Sequence, residues 1–122
     1  MKHILIAIAA VVLVGCGVSK ETTIWKATEE GDASIVELLI SLGQDVNAKN
    51  DSGDTPLLRA VVFGREEVAN LLMSKGAKVN TQNKFGYTPL DMAIKLNKTE
   101  IANLLRKHGG KTSEELKAEG AK

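Results

Sequence analysis

An all-α solenoid of about three stacked helix-turn-helix repeats, linked by projecting β-turn fingers, is the fold this sequence predicts. Two observations predict it. The phrase GDTPLLRA at 53–60 returns as GYTPLDMA at 86–93, a spacing of 33 residues. The agreement extends beyond the phrase, since residues 50–76 laid on 83–109 match at 12 of 27 positions without a gap. The same shift relates 22–50 to 55–83 through Thr22, Ala27, Gly31, Leu38, Leu39, Ser41, Gly43, Val46, Asn47 and Asn50. Three copies at one period mean an array whose units bury their apolar faces only against one another.

The first element in the chain stands outside that array. Lys2 and His3 precede an unbroken apolar run from Ile4 to Val14. As a helix this run is about 16 Å long, too short for the ~30 Å core of a bilayer. A positive start and a short apolar middle match an export signal that is removed from the mature chain. The run ends in Leu13-Val14-Gly15-Cys16, and Cys16 is the only cysteine. This ending resembles the lipobox of bacterial lipoproteins, in which diacylglycerol is attached to the cysteine and the chain is cut just before it. The resemblance implies a signal peptide over 1–15 and an acylated Cys16, with 16–21 forming the lipidated cysteine and a short tether. Several acyl chains, each buried CH₂ contributing about 0.8 kcal/mol, make such an anchor effectively permanent. Gly17 follows the cysteine where lipoproteins held in the inner membrane usually have aspartate. That implies an envelope lipoprotein of the outer membrane, facing the periplasm.

The repeats follow in order. Residues 22–50 are a capping first copy, with Thr23 in place of the later prolines. In the middle copy, 51–83, Thr55 is a suitable N-cap and Pro56 fits the first helical position, where a missing N–H costs nothing. Leu57, Ala60 and Val61 fall at i, i+3, i+4, one narrow apolar face, and Gly64 ends that helix. A second helix is expected to bury Val68, Leu71 and Leu72, with Gly76 as its left-handed cap. The connection AKVNTQNKFG is turn-rich, and Asn80 and Asn83 are each able to bond their own backbone. The third copy, 84–111, repeats the scheme with Thr88, Pro89, Leu90, Ala93 and Ile94, then Ile101, Leu104, Leu105 and Gly109. Asn97 replaces the glycine between its helices and tolerates the same left-handed conformation. The tail, 112–122, offers a capping box of Thr112 with Glu115, which predicts one short helical turn against the last repeat. Residues 120–122 are expected to be loose.

Taken together, GDTPLLRAVVFGREEVANLLMSKGAKVNTQN resembles an ankyrin repeat, and the resemblance covers Thr22 to Gly109. The family's common histidine after Thr-Pro-Leu is replaced by Trp25, Leu58 and Asp91, implying loss of a hydrogen bond that often links neighbouring repeats. The resemblance implies a concave partner-binding face made of the fingers and the first helix of each repeat. The family's variable contact positions fall on Asp51, Ser52, Asp54, Val62 and Phe63 in the middle repeat. In the third they fall on Lys84, Phe85, Tyr87, Lys95 and Leu96, and in the first on Glu29 and Glu30. Phe63, Phe85, Tyr87 and Leu96 are expected to gather apolar and aromatic groups on an otherwise polar face, and aromatic anchors of this sort often dominate interface energy.

Chemistry is sparse by contrast. Lys plus Arg number 16 against 15 Asp plus Glu, and no run of like charge makes a basic stripe for nucleic acid. Once the signal is cut, His108 is the one histidine left, and near a helix C-terminus it interacts favourably with the helix dipole. No catalytic base lies poised beside a nucleophile, and no His/Cys/Asp/Glu set has metal-ligand spacing. Glu29–Glu30 and Glu66–Glu67 are adjacent in sequence, so on a helix they point apart. The expectation is therefore a monomeric non-enzyme with no cofactor, metal, nucleic acid or small-molecule substrate. It would be a lipid-anchored module that holds an unidentified protein partner at the bacterial cell envelope, attached to the membrane through Cys16. The alternatives are a passive structural envelope lipoprotein, or an accessory or inhibitory subunit that acts on an envelope enzyme by occlusion.

Overall fold

The computed structural model describes residues 23–120. The export signal, Cys16, the 17–21 tether, Thr22 and the last two residues lie outside the described residues. Within them the chain forms seven helices and no strand: α1 Ile24–Glu30, α2 Ala33–Ser41, α3 Pro56–Val62, α4 Glu66–Ser74, α5 Pro89–Lys95, α6 Thr99–Lys107 and α7 Ser113–Gly120. The first six make three helix pairs. The inner row stacks α1 on α3 on α5, and the outer row stacks α2 on α4 on α6.

Each inner helix begins at a threonine whose hydroxyl accepts a backbone N–H of the first turn, one of the donors a helix leaves orphaned. Thr55 Oγ1 accepts from Leu58 at 3.3 Å, and Thr88 Oγ1 accepts from Asp91 at 3.1 Å. Pro56 and Pro89 follow at the first helical position. In the first repeat the cap is Thr23, whose hydroxyl accepts from Lys26 at 3.3 Å. By the shift of 33, Thr23 stands where the later copies have proline. With no proline to fix that position, α1 starts one residue later in its repeat. Asn97 adopts φ 58° where the middle repeat has Gly64 at φ 70°, as expected of a residue that tolerates the left-handed region.

The core is one continuous cluster through all three repeats. It includes Ile24, Ala27, Val36, Leu39, Leu57, Ala60, Val61, Val68, Leu72, Leu90, Ala93, Ile101 and Leu105. Two features of packing differ from the expected faces. On α4 the buried residues are Val68, Ala69, Leu72 and Met73, while Leu71 is only partly buried. At about 100° per residue this buried arc is centred between Val68 and Met73. Leu71 is left on the rim, and Leu104 is likewise partly buried on α6. The second feature is Ile94, which is 51% exposed although the equivalent Thr28 and Val61 are fully buried. No helix pair follows α5 and α6 among the described residues to cover it.

Asparagine side chains fasten the loops, in two ways. Asn83 Oδ1 accepts from Phe85 and Tyr87 of its own finger at 2.9 and 3.1 Å, and Asn50 does the same for Ser52 and Asp54. Asn80, expected to bond its own loop, reaches the next repeat instead. Its Nδ2 donates to Gly109 O at 3.2 Å and its Oδ1 accepts from Lys111 N at 2.7 Å. Asn47 makes the equivalent pair with Gly76 and Lys78. The finger tips also touch, since Lys84 N donates to Ser52 O at 3.1 Å. Gly53 makes that approach possible: it sits at φ 76°, and a Cβ there would lie 3.0 Å from Lys84 N.

The tail is longer than one turn. α7 runs from Ser113 to Gly120 behind the expected capping box, with Glu115 N donating to Thr112 Oγ1 at 3.1 Å and Thr112 N to Glu115 Oε1 at 3.0 Å. Gly120 belongs to the helix. None of α7 is buried.

Candidate functional site

The inner helices and fingers hold the residues picked out by sequence, but not as one cluster. Asp51 and Ser52 are exposed on the first finger, and Lys84 and Phe85 on the second. Phe85 is 73% exposed. Tyr87 lies half-buried at the finger base. There Lys95 Nζ donates to Tyr87 Oη at 3.0 Å, and the ammonium sits 4.7 Å from the ring centroid. Phe63 and Leu96 occupy the C-cap positions of α3 and α5, with Val62 half-buried beside Phe63. The Arg59 guanidinium lies 4.9 Å from the Phe63 ring centroid. Each inner helix has seven residues, so it sets the finger-side aromatics about 10 Å along its axis from the helix-end pair. The expected gathering of Phe63, Phe85, Tyr87 and Leu96 is therefore two separate groupings.

Asp54 leaves the candidate surface. It is only 7% exposed, and its carboxylate accepts from Asn83 Nδ2 at 3.1 Å and Arg59 Nη1 at 3.4 Å. A buried carboxylate needs such partners, and satisfying them takes the group out of reach of solvent. Glu29 is partly committed too. Arg59 Nε and Nη2 hold its carboxylate at 2.9 and 2.8 Å, and Arg65 Nε donates to its carbonyl at 2.8 Å. Glu30 is exposed.

The missing histidines do not leave the junctions unlinked. Trp25 Nε1 donates across the first junction to Asp54 O at 3.1 Å. Asp91 accepts from Thr88 N at 2.9 Å and from Ser113 N at 3.1 and 3.2 Å, tying the third repeat to α7. Leu58 has no such group and is buried at 2% exposure.

Sequence reasoning missed two features, one on this surface and one on the outer row. Ile94 opens into a cleft of about 360 Å³ that is also lined by Tyr87, Asp91, Lys95, Thr112, Ser113 and Glu114. The signal was available, since Ile94 is the last of three equivalent positions and only the first two precede another repeat. The other feature is a carboxyl pair. Glu66 faces Glu100 of the next repeat rather than its neighbour Glu67, and their mutual hydrogen bond raises the Glu66 carboxyl above its usual range. Residues 34 apart reveal such a pair only once the stacking is known. His108 is exposed at the C-cap of α6, its N–H bonded to Leu104 O and Leu105 O. Among the described residues no group of three or more His, Cys, Asp or Glu is placed to hold a metal ion. No described helix is long and apolar enough to cross a membrane.

The family model for ankyrin repeats (3 copies) matches residues 5–83 and 24–115, so it covers most of the chain. No curated protein matches.

Proposed function

The chain belongs to the ankyrin-repeat family, whose repeats serve as protein–protein interaction modules, and on that premise we propose that it is a lipid-anchored adaptor holding a partner protein at the bacterial cell envelope. The observation that carries the reading is where the apolar surface lies. The exposed large hydrophobic side chains of the described domain are Phe63, Phe85, Ile94 and Leu96. Phe85 stands on a finger, Ile94 on an inner helix, and Phe63 and Leu96 at inner-helix C-caps. Large apolar side chains this exposed near the fingers and inner helices are what an interaction site would use.

The anchor is Cys16, preceded by the apolar run and a small residue. Gly17 to Glu21 then make a tether of at most about 18 Å when fully extended. A domain so tethered meets partners that are themselves in, or recruited to, the membrane.

The test is crosslinking in intact cells with the full chain, compared with Phe85→Ala/Tyr87→Ala and Phe63→Ala/Leu96→Ala. A protein captured by the parent and lost with either variant supports the adaptor. Identical captures from all three point to the passive envelope role. Separately, a Cys16→Ala protein that stays in the membrane fraction would remove the lipid from the proposal.

A further inference from the structure

We propose that α7 is a charge-held latch on the open end of the repeat stack, which undocks without the repeats unfolding. The inference is independent of the partner reading above, because it concerns how the stack ends.

The stack ends differently from how it continues. Where the middle repeat has Met73, only 8% exposed, the third repeat has Arg106. Arg106 Nη1 reaches Glu115 on α7 at 3.1 and 3.2 Å. A second ion pair joins Lys111 to Glu119. The remaining tie is the Asp91 carboxylate, which accepts Ser113 N–H. Leu116 is the one large apolar residue of α7 and is only half-buried, and Ile94 beneath the helix start stays 51% exposed. Apolar burial, the term that fastens every other helix, is therefore nearly absent from this one.

The segment just before α7 is fixed firmly, so it can serve as the pivot. Lys111 N donates to Asn80 Oδ1 at 2.7 Å, and Thr88 Oγ1 donates to Lys111 O at 2.7 Å. Gly110 is buried against α6, where a Cβ would lie 2.8 Å from Leu105 O. A helix joined to a rigid pivot and docked mainly by exposed charge swings out when the charge is screened. Because Thr112, Ser113 and Glu114 line one wall of the Ile94 cleft, release widens that cleft.

The test is amide hydrogen exchange on the full chain in sodium chloride at about 0.01 M and about 1 M, between which the Debye length falls from about 30 Å to about 3 Å. We expect amides of 113–120 to exchange several-fold and up to about tenfold faster at high salt, the size expected of two exposed ion pairs. Amides of α3 and α4 should be unchanged. Arg106→Gln/Glu115→Gln should show the faster exchange already at low salt, while Leu116→Ala should change it less. The latch is refuted if α7 exchange is insensitive to salt, if it is unprotected even at low salt, if it changes in step with α3 and α4, or if Leu116→Ala outweighs the charge variant.

Discussion

The two internal junctions of the stack share a backbone plan and are filled by different chemistry. At the first, Trp25 donates to Asp54 O, Arg59 pairs with Glu29, and Arg65 reaches the Glu29 carbonyl. In the interior slot, however, Thr28 is fully buried with no hydrogen-bond partner for its hydroxyl. At the second, the equivalent slot holds Val61, fully buried, with Asn83–Asp54 and the finger contact as polar ties. Polar links fix register but leave desolvated groups to be satisfied, whereas apolar side chains of the right volume gain on burial outright. The second junction should therefore be the stronger, and the first the one where the stack opens.

The largest effect comes from removing what both junctions share. Leu72 is fully buried at the centre of the array, so Leu72→Ala should cost about 2–5 kcal/mol. Three helix pairs are close to the minimum for such an array, so a loss of this size should abolish the cooperative melt followed by circular dichroism. Leu71→Ala, on the rim, should cost distinctly less. Equal losses from the two would contradict the placement of the buried arc.

Exchanging the slot residues then separates the junctions. Val61→Thr puts the first junction's hydroxyl into the second, where burial without a partner should cost about 1–3 kcal/mol. Ile94→Thr makes a closely similar change in the third slot, but at 51% exposure it should stay within about 0.5 kcal/mol of the parent. The reverse change, Thr28→Val, is nearly isosteric and removes the orphan, so it should stabilise by about 1 kcal/mol. Denaturant midpoints for the three variants test the ranking. A destabilising Thr28→Val would mean that the hydroxyl has a partner after all.

The repeat scheme was legible because its signals are local and periodic: Thr-Pro caps, glycines and one asparagine at left-handed positions, and leucines at helical spacing. What was not legible depends on neighbours. Leu71 and Leu72 look alike in sequence, and only the angle set by the adjacent repeat separates them. Asp54 reads as a polar finger residue until Arg59 of its own helix and Asn83 at the base of the next finger converge on it. Asn80 resembles Asn83, yet one bonds forward across a junction and the other bonds its own finger. Ile94 fits the apolar pattern of its helix, and its exposure follows from position in the array alone.

The smallest expected effect lies on the outer row and still distinguishes the junctions. At the second, Glu66 faces Glu100; the equivalent positions at the first are Ala33 and Glu67, only one of which is charged. The Glu66 carboxyl is raised mainly by its hydrogen bond to Glu100, then by slight desolvation and by the charge of that second side chain. A carboxyl raised on folding binds its proton more tightly in the folded state. Its contribution is therefore favourable when pH falls through the raised value and is lost as pH rises above it. The second carboxyl disfavours the charged form of Glu66 in the folded chain, so Glu66→Gln should raise the melting temperature slightly at pH 7. The gain should shrink towards zero near pH 4, where the parent's own proton relieves the repulsion. Glu115 behaves oppositely, because the Thr112 N–H and Arg106 hold its carboxyl below the usual range. Its stabilisation is present at neutral pH and lost on acidification, so Glu115→Gln should lower the melting temperature at pH 7 and lose its effect in acid. Both carboxyls are exposed, so the shifts should be small and fade with salt. Melting curves for the two variants between pH 3.5 and 7 should thus converge on the parent from opposite sides. Convergence from the same side would mean that the carboxyl pair across the second junction does not repel in the folded chain.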